Sequence, residues 1–179
     1  MKADLEGNTY DNVLHFIHAK PGCHLRQIQK ELDISLGSVQ YQLSRLEETQ
    51  RITSARRGSY KFYFPYGIFN YNEKNILQVL SQETARKVLM FIIERKNPTH
   101  TDIVNSLGIS AASVNWHVSR LIAFKIIHSS KNGRYTKYQL SNNADSEYIE
   151  ASLKNYYPDI WDKWSNRLAE MFLSLSRGD

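Results

Sequence analysis

The sequence predicts a mainly α-helical fold with small β-hairpins, an α+β class, built as two copies of one small domain plus C-terminal helices. Three observations predict it. The chain repeats itself at an offset of 75 residues, apolar residues recur at helical spacing in each copy, and each copy ends in a segment typical of a hairpin. With 41% apolar and 23% charged residues among 179, the chain can pack a core and cover a surface.

The repeat is clearest at spaced apolar positions. Without a gap, Val13 aligns with Val88, Ile28 with Ile103, Val39 with Val114, Leu46 with Leu121, and Ile52 with Ile127. Two copies of this length do not fit a solenoid, so we predict two domains of one fold. The predicted organisation is a first domain over 8–66, an aromatic connector with a short helix over 67–81, a second domain over 82–141 and a C-terminal helical segment over 145–177.

Each copy is predicted to contain three helices in order. An apolar i, i+1, i+4 stripe marks the first helix, and Pro21-Gly22 or Asn97-Pro98 ends it. Second helices follow at 25–32 and 101–107, and third helices at about 36–48 and 111–123. In the turns between them Ser35 and Ser110 are placed as N-caps. Gly108 reaches a positive φ easily, whereas Asp33 must adopt it at some cost.

A hairpin is predicted to close each copy. Strands are expected at 51–54 and 60–63 in copy one, and at 126–130 and 135–140 in copy two. Asn132-Gly133 lies between the second pair, and Asn-Gly is the strongest short-range hairpin signal. Three helices followed by such a hairpin form a winged helix-turn-helix domain, so the sequence predicts two of them in tandem.

Two segments carry a resemblance to a known family. HLRQIQKELDISLGSVQYQLSRLEETQRI resembles the helix-turn-helix core of MarR/ArsR-type winged-helix regulators, and SQETARKVLMFIIERKN resembles the first helices of that superfamily. The tandem arrangement is similar to that of archaeal-type predicted transcriptional regulators with two such domains. The resemblance covers roughly residues 10–140. It implies sequence-specific binding of double-stranded DNA.

The third helix of each copy has a polar outer face. Helical spacing turns Val39, Leu43 and Leu46 towards the core, which leaves small, hydroxyl, amide and guanidinium side chains facing outwards. Such groups can contact phosphates and base edges in the major groove. The candidate DNA-binding residues are Ser35, Ser38, Gln40, Tyr41, Ser44 and Arg45 in copy one, Ser110, Ser113, Asn115, Trp116 and Arg120 in copy two, and Arg26 and Thr101 on the second helices.

Several of these residues have more than one interpretation. Tyr41 and Trp116 either contact DNA sugars and thymine methyls or pack against their own wing or a neighbouring subunit. Gln40 and Asn115 either read adenine or are simply solvated. His117 either contacts DNA or lies at the edge of the core.

The predicted hairpin tips are basic in both copies. Phosphate contact or insertion of an arginine into a minor groove is one interpretation, and a solvated hairpin whose charges blunt an edge strand is the other. The candidate residues are Arg56, Arg57 and Lys61 in the first wing and Lys131, Asn132, Arg134 and Lys137 in the second.

Charge is unevenly distributed along the chain. The net charge of +5 and the pI near 9.2 divide into +2 for residues 1–70 (nine basic, seven acidic), +6 for 71–140 (ten and four) and −3 for 141–179 (four and seven). A basic body suggests a polyanionic partner, double-stranded DNA. The alternative is a winged-helix protein-interaction module without sequence-specific DNA binding. A hybrid, with copy two gripping DNA and copy one acting as scaffold or sensor, is also open.

The tail carries a short apolar seam. Its residues are spaced three and four apart, as in a coiled coil of barely two heptads. They either pack on the winged domains of their own chain or pair with a second subunit, and we predict a homodimer. The seam residues are Trp161, Trp164, Leu168, Met171, Phe172 and Leu175.

Other functions find little support. Cys23 is the single cysteine, which excludes an internal disulfide framework, and His15, His18 and His24 lack the carboxylates or thiols that would complete a metal site. No phosphate-binding loop, nucleophile elbow or paired carboxylates occur, so neither an enzyme nor a cofactor is predicted. The aromatic run at 62–71 is expected to form the last wing strand and the connector, with an effector pocket there left open. No apolar run spans a membrane and no secretion signal begins the chain, so a cytoplasmic protein is expected.

Overall fold

The computed structural model describes residues 2–142 and 144–176, with side chains over residues 9–142 and 144–169. It divides into two compact units, of which the first ends at Gln82 and the second begins at Glu83. Both units are mostly helical and each carries a small antiparallel hairpin. The predicted fold class is therefore confirmed.

Apart from strand β1, the second unit repeats the element order of the first as far as the hairpin. Unit 1 contains α1 (Lys2–Ala19), β1 (Cys23–His24), α2 (Leu25–Leu32), α3 (Leu36–Glu48), β2 (Ile52–Arg57), β3 (Tyr60–Pro65) and α4 (Tyr71–Leu80). Unit 2 contains α5 (Glu83–Arg95), α6 (His100–Leu107), α7 (Ala111–Ala123), β4 (Ile127–Asn132), β5 (Tyr135–Leu140), α8 (Ser146–Tyr156) and α9 (Pro158–Ser176).

The same positions fill the core of each unit. In unit 1, α1, α2 and α3 bury one apolar cluster that includes Val13, Ile17, Ile28, Val39 and Leu46. In unit 2 the residues at the repeat offset, Val88, Ile92, Ile103, Val114 and Leu121, are buried as well. Repeated burial at repeated positions explains why the internal similarity is concentrated at these apolar sites.

A third strand in unit 1 is absent from the sequence prediction. Cys23 and His24 pair with Tyr63 and Phe62, which gives a sheet of order β1-β3-β2. Two residues are too few to show a periodicity, so nothing in the sequence marked them as a strand. Unit 2 keeps only an isolated bridge between Thr99 and Lys137. Pro98 lies at the position of Cys23 and has no amide hydrogen to donate to a ladder.

Both hairpins are longer than expected. β2 extends to Arg57 and β4 to Asn132, because each hairpin turns over two residues, Gly58-Ser59 and Gly133-Arg134. The two glycines have φ of +56° and +62°, which suits the tight turn.

α4 occupies most of the segment 67–81, for which the sequence predicted a connector with a short helix. Asn70 is its N-cap, and the Asn70 side chain accepts from the amide of Glu73 at 3.0 Å. The Glu73 carboxylate accepts in return from the amide of Asn70 at 2.7 Å. This capping box satisfies two free amides and starts the helix at Tyr71.

α4 is joined to the helix-turn-helix of unit 1 through the loop before β1. The Ser81 hydroxyl donates to the carbonyl of Gly22 at 2.6 Å, and Gln27 Nε2 donates to the carbonyl of Ser81 at 2.7 Å. Gly22 has φ +83°, and a Cβ there would lie 2.8 Å from the backbone of Leu77. The close approach of loop and helix therefore requires glycine.

Replacing Gly22 with alanine is expected to destabilise unit 1 by at least about 2 kcal/mol, because the added carbon meets backbone and the φ is unfavourable. Denaturant unfolding followed by circular dichroism measures the loss. Gly37→Ala is the control: a Cβ at Gly37 has open space within α3, so this change should stabilise by about 0.5–1 kcal/mol. Equal effects of the two substitutions would contradict the steric argument.

Candidate nucleic-acid interface

The third helices α3 and α7 begin in the same way. The Ser35 hydroxyl accepts from the amide of Ser38 at 3.2 Å, and the Ser110 hydroxyl accepts from the amide of Ser113 at 3.2 Å. The residues that end the preceding helices, Asp33 and Gly108, have φ of +49° and +63°. The predicted N-caps and left-handed turns are both present in the structure, and they fix where each third helix starts.

Burial divides each third helix into two faces. Val39, Leu43 and Leu46 in α3 are at most 2% exposed, as are Val114, Val118 and Leu121 in α7. On the opposite face Tyr41 is 54% exposed and Trp116 is 52% exposed. Gln40, Ser44 and Arg45 are exposed beside Tyr41, and Asn115 and Ser119 beside Trp116, while Ser38, Ser113 and Arg120 are half-buried.

Each outward aromatic ring carries an arginine from the next helical turn. The Arg45 Cζ lies 5.7 Å from the centre of the Tyr41 ring, and the Arg120 Cζ lies 5.3 Å from the centre of a ring of Trp116. Cation–π contact of this kind contributes about 0.5–1 kcal/mol at exposed sites. It holds a guanidinium beside a flat apolar ring without neutralising its charge.

A second ring contacts each guanidinium. Arg45 also lies 5.2 Å from the ring centre of Tyr10, and Arg120 lies 5.4 Å from that of Phe124. The pairing of Tyr41 with Arg45, and of Trp116 with Arg120, is thus common to both units. We call these the two Arg–aromatic pairs.

His117 lies at the edge of the core and not on the outer face. It is 8% exposed, and its ring packs edge-on against Trp116 at 4.7 Å. Burial, followed by the nearby charge of Arg120, lowers the pKa of His117 from its ordinary value of 6.5. Gln42 occupies the same position in unit 1 and is 2% exposed.

The first wing is largely engaged within its own unit. Arg57 Nη2 donates to Asn75 Oδ1 at 3.1 Å, and its guanidinium lies over the ring of Tyr71. Lys61 forms an ion pair with Glu47 at 2.7 Å. Arg56 is exposed. Sequence reasoning missed the role of Asn75, because the contact joins residues of two different elements.

The second wing presents its charges to solvent. Lys131, Asn132 and Arg134 are exposed at the tip of the β4–β5 hairpin, and Lys137 is half-buried where its backbone pairs with Thr99. Arg26 on α2 and Thr101 on α6 are exposed near the starts of the second helices. The basic candidates at the tip of this wing are therefore accessible to a phosphate backbone.

The predicted dimer seam is partly used inside unit 2. Trp164 is 6% exposed and its ring lies 5.6 Å from that of Trp161, which is half-buried. Leu168 is half-buried. Of the two interpretations of the seam, packing on its own chain therefore holds for Trp164. The side chains of Met171, Phe172 and Leu175 lie outside the described residues.

The described part of the chain also bears on a metal site and on membrane-spanning helices. Within it, no three His, Cys, Asp or Glu side chains come together as a metal site. Cys23 is 1% exposed, and burial raises the pKa of its thiol. No described helix is both long and apolar enough to cross a bilayer.

Comparison with known protein families gives a match over the first part of the chain. A family described as the HVO_0163-type N-terminal HTH domain matches residues 7–77, which span α2, α3 and the first wing. Both units have the helices and the hairpin that are typical of a winged helix-turn-helix fold. The predicted resemblance to archaeal-type regulators with such domains is thereby confirmed at the level of the helix-turn-helix regulator family.

A curated relative points the same way. An archaeal protein of Methanocaldococcus jannaschii, named as an uncharacterized HTH-type transcriptional regulator, is 24% identical over 139 residues, which is 76% of this chain and 34% of the relative. This chain thus spans about a third of that protein's length. The relative is named as a transcriptional regulator and not as an enzyme, which agrees with the sequence prediction.

Solved structures with partial similarity include three bacterial proteins. Reduced HlyU from Vibrio cholerae has a TM-score of 0.42 and 16% identity over 48% of this chain and 90% of its own. An ArsR-like transcriptional regulator from Rhodococcus has a TM-score of 0.40 and 22% identity over 56% and 89%. Adhesin competence repressor from Streptococcus pyogenes has a TM-score of 0.34 and 19% identity over 84% and 96%.

The buried imidazole of His117 predicts acid sensitivity of unit 2. The pKa of His117 in the folded chain is lower than the ordinary 6.5 of the unfolded chain, so the unfolded chain takes up a proton first as the pH falls. The contribution to stability is therefore full above pH 6.5 and is lost as the pH drops through the folded pKa. We expect His117→Gln, the residue that unit 1 uses at this position, to reduce the fall in thermal midpoint between about pH 7.5 and about pH 5.5. An unchanged pH dependence in the variant would show that another group is responsible.

Proposed function

We propose that this chain is a cytoplasmic transcriptional regulator that binds double-stranded DNA through α3, α7 and the basic wings. The proposal depends on one observation, which is that both units carry an Arg–aromatic pair. Each lies on the exposed face of a third helix, at the same distance from a serine N-cap, in both units. Two copies of one surface with the same chemistry support one shared kind of ligand.

The chemistry of this surface suits the major groove. The first turns of the third helices carry small residues, Gly37 in α3 and Ala111 and Ala112 in α7, which allow close approach to a groove wall. Beyond them, Gln40 and Asn115 offer amides that can bind adenine in a bidentate manner. The arginines contact phosphates or guanine, and the aromatic rings contact sugars or thymine methyls.

The two wings are proposed to contribute unequally. Lys131 and Arg134 are exposed, whereas the guanidinium of Arg57 is held by Asn75 and the ammonium of Lys61 by Glu47. Releasing an engaged cation towards DNA would cost part of the energy gained from phosphate contact. Phosphate contacts are therefore assigned to Arg56 in the first wing and to the whole tip of the second wing. On this assignment, unit 2 binds the DNA backbone more strongly than unit 1.

The double variant Lys131→Gln, Arg134→Gln is expected to weaken binding to all duplexes similarly. Each lost phosphate contact should reduce the slope of log K against log salt by about 0.9, and should lower affinity about fivefold at about 0.15 M salt. Fluorescence anisotropy over a salt series measures both quantities. Arg57→Gln should change the slope little.

Arg95→Gln with Lys163→Gln is the matched control, since it removes the same charge from unit 2 outside the proposed interface. If both double variants lost affinity equally, general electrostatics rather than wing contact would be the cause. If intact protein showed no retention on heparin and no salt-dependent binding of duplex, the protein-interaction module would be the better proposal.

Sequence specificity resides in the third helices under this proposal. Selection of bound duplexes from a random pool should yield a recurrent site, and Arg120→Gln or Trp116→Ala should relax it at particular positions rather than weaken all sequences. Recovery of random sequence only would restrict the proposal to non-specific DNA binding.

We further propose a homodimer formed through α9. Supporting this, Trp161 and Leu168 keep part of their surface exposed after the chain has folded. Light scattering of the intact protein should give twice the 20.8 kDa chain mass. Leu168→Lys should reduce the mass to that of one chain, whereas a monomeric mass for the unaltered protein would refute the dimer.

A further inference from the structure

The tip of the second wing places an asparagine directly before a glycine. Asn132 is the last residue of β4, and Gly133 is the first of the two turn residues. Both residues are exposed. No other asparagine in the sequence is followed by glycine, and the matching turn of unit 1 has Arg57 before Gly58. The pair is therefore particular to the second wing.

The two atoms of this pair that can react with each other have no other contacts to hold them. These atoms are the side-chain carbonyl carbon of Asn132 and the backbone nitrogen of Gly133. Among the described residues, the Asn132 side chain forms no hydrogen bond and the Gly133 amide donates none. Gly133 has no side chain, and the space that a Cβ would occupy is open. Neither a hydrogen bond nor a neighbouring side chain therefore keeps the nitrogen away from the carbonyl carbon.

Two cations flank the pair. Lys131 precedes it and Arg134 follows it, and both are exposed. Over residues 2–142 and 144–176, neither of them forms an ion pair. Positive charge near an amide favours the deprotonated, nucleophilic nitrogen, and it also stabilises the oxyanion that forms when this nitrogen attacks a carbonyl group. The surroundings of Asn132 therefore promote attack on its side chain.

We propose that Asn132 is a site of spontaneous deamidation. The Gly133 nitrogen loses its proton to hydroxide and forms a bond to the Asn132 side-chain carbonyl carbon. The bond from this carbon to the side-chain nitrogen breaks, and the nitrogen takes a proton from water and leaves as ammonia. Water then adds to either carbonyl of the resulting five-membered imide, which opens to aspartate or isoaspartate. Hydroxide is regenerated, and no oxidant or reductant is required.

Both products place a carboxylate between Lys131 and Arg134. Isoaspartate also adds a CH₂ group to the backbone at position 132, where β4 pairs with Tyr135 of β5. The consequence for DNA rests on the proposed function: the carboxylate offsets one of the cations assigned to phosphates and repels the phosphates themselves. Binding through the second wing therefore weakens as the protein ages, whereas the turn of the first wing has no asparagine to convert.

Mass spectrometry of the full chain during incubation in mildly alkaline buffer tests the chemistry. After digestion, the peptide that contains Asn132 should gain the mass difference between OH and NH₂ and should separate into aspartate and isoaspartate forms. The peptide that contains Asn105 is the internal control, because Asn105 and Ser106 are exposed but lie within α6. It should change much more slowly, since the helix engages the Ser106 amide and the serine side chain hinders ring closure.

Two variants connect the chemistry to DNA binding. Asn132→Asp produces the charge of the product from the start, so it should reduce the slope of log K against log salt by about 0.9, as loss of one phosphate contact would. Asn132→Gln would have to close a six-membered ring, which is slower. Whatever its starting affinity, this variant should keep that affinity over an incubation in which the unaltered protein loses part of its own.

An unchanged mass of the Asn132 peptide would overturn the proposal, as would equal conversion of the Asn105 peptide. Conversion of Asn132 that left the salt slope unchanged would overturn the consequence for the wing. If fresh protein bound no duplex, the proposed function would fail and the consequence for DNA with it. The mass measurement involves no DNA, so it would still decide whether Asn132 reacts.

Discussion

Burial of one face of the third helix constrains nearly everything else that this molecule presents. Val39, Leu43 and Leu46 in α3, with their counterparts in α7, are almost fully removed from water. Rotating either helix by a third of a turn would expose these side chains to water. The free-energy cost would be about 25 cal/mol for each Å² of apolar surface exposed. The serine caps fix the helix starts as well. The start of each third helix and its rotation about its own axis are therefore both fixed. Because the apolar face is buried, the Arg–aromatic pairs on the opposite face point outwards.

Local rules were sufficient for the helix-turn-helix. Apolar spacing and capping residues predicted the second and third helices of both copies closely, because each signal lies within a few residues of the element that it specifies. They also placed Tyr41 and Trp116 on the outer face correctly. The position of His117 was left open by the sequence, since a helical wheel places it at the boundary between the two faces.

Long-range contacts account for the features that were missed. The pairing of Cys23 with Tyr63 joins residues forty positions apart, and the hydrogen bond from Arg57 to Asn75 joins a wing to α4. In neither pair does the local sequence around one residue indicate which residue it will contact. Trp164 is a similar case: spacing alone indicated a seam, whereas its tertiary surroundings in unit 2 decide what the seam packs against. The difference in exposed charge between the two wings has the same origin. Basic residues of the first wing contact partners within their own unit, whereas those at the tip of the second wing are exposed.

Gly22 has a consequence for how the two similar halves of the chain tolerate substitution. Any side chain at this position would have to displace the backbone of α4, whereas the equivalent residue of the second copy is an exposed asparagine. The first half is thus anchored by a helix that follows it in the chain, and its loop has little freedom to accumulate substitutions. The second half is not subject to that restriction. At equal mutation rates, more substitutions would therefore be retained in the loop of the second half than in that of the first.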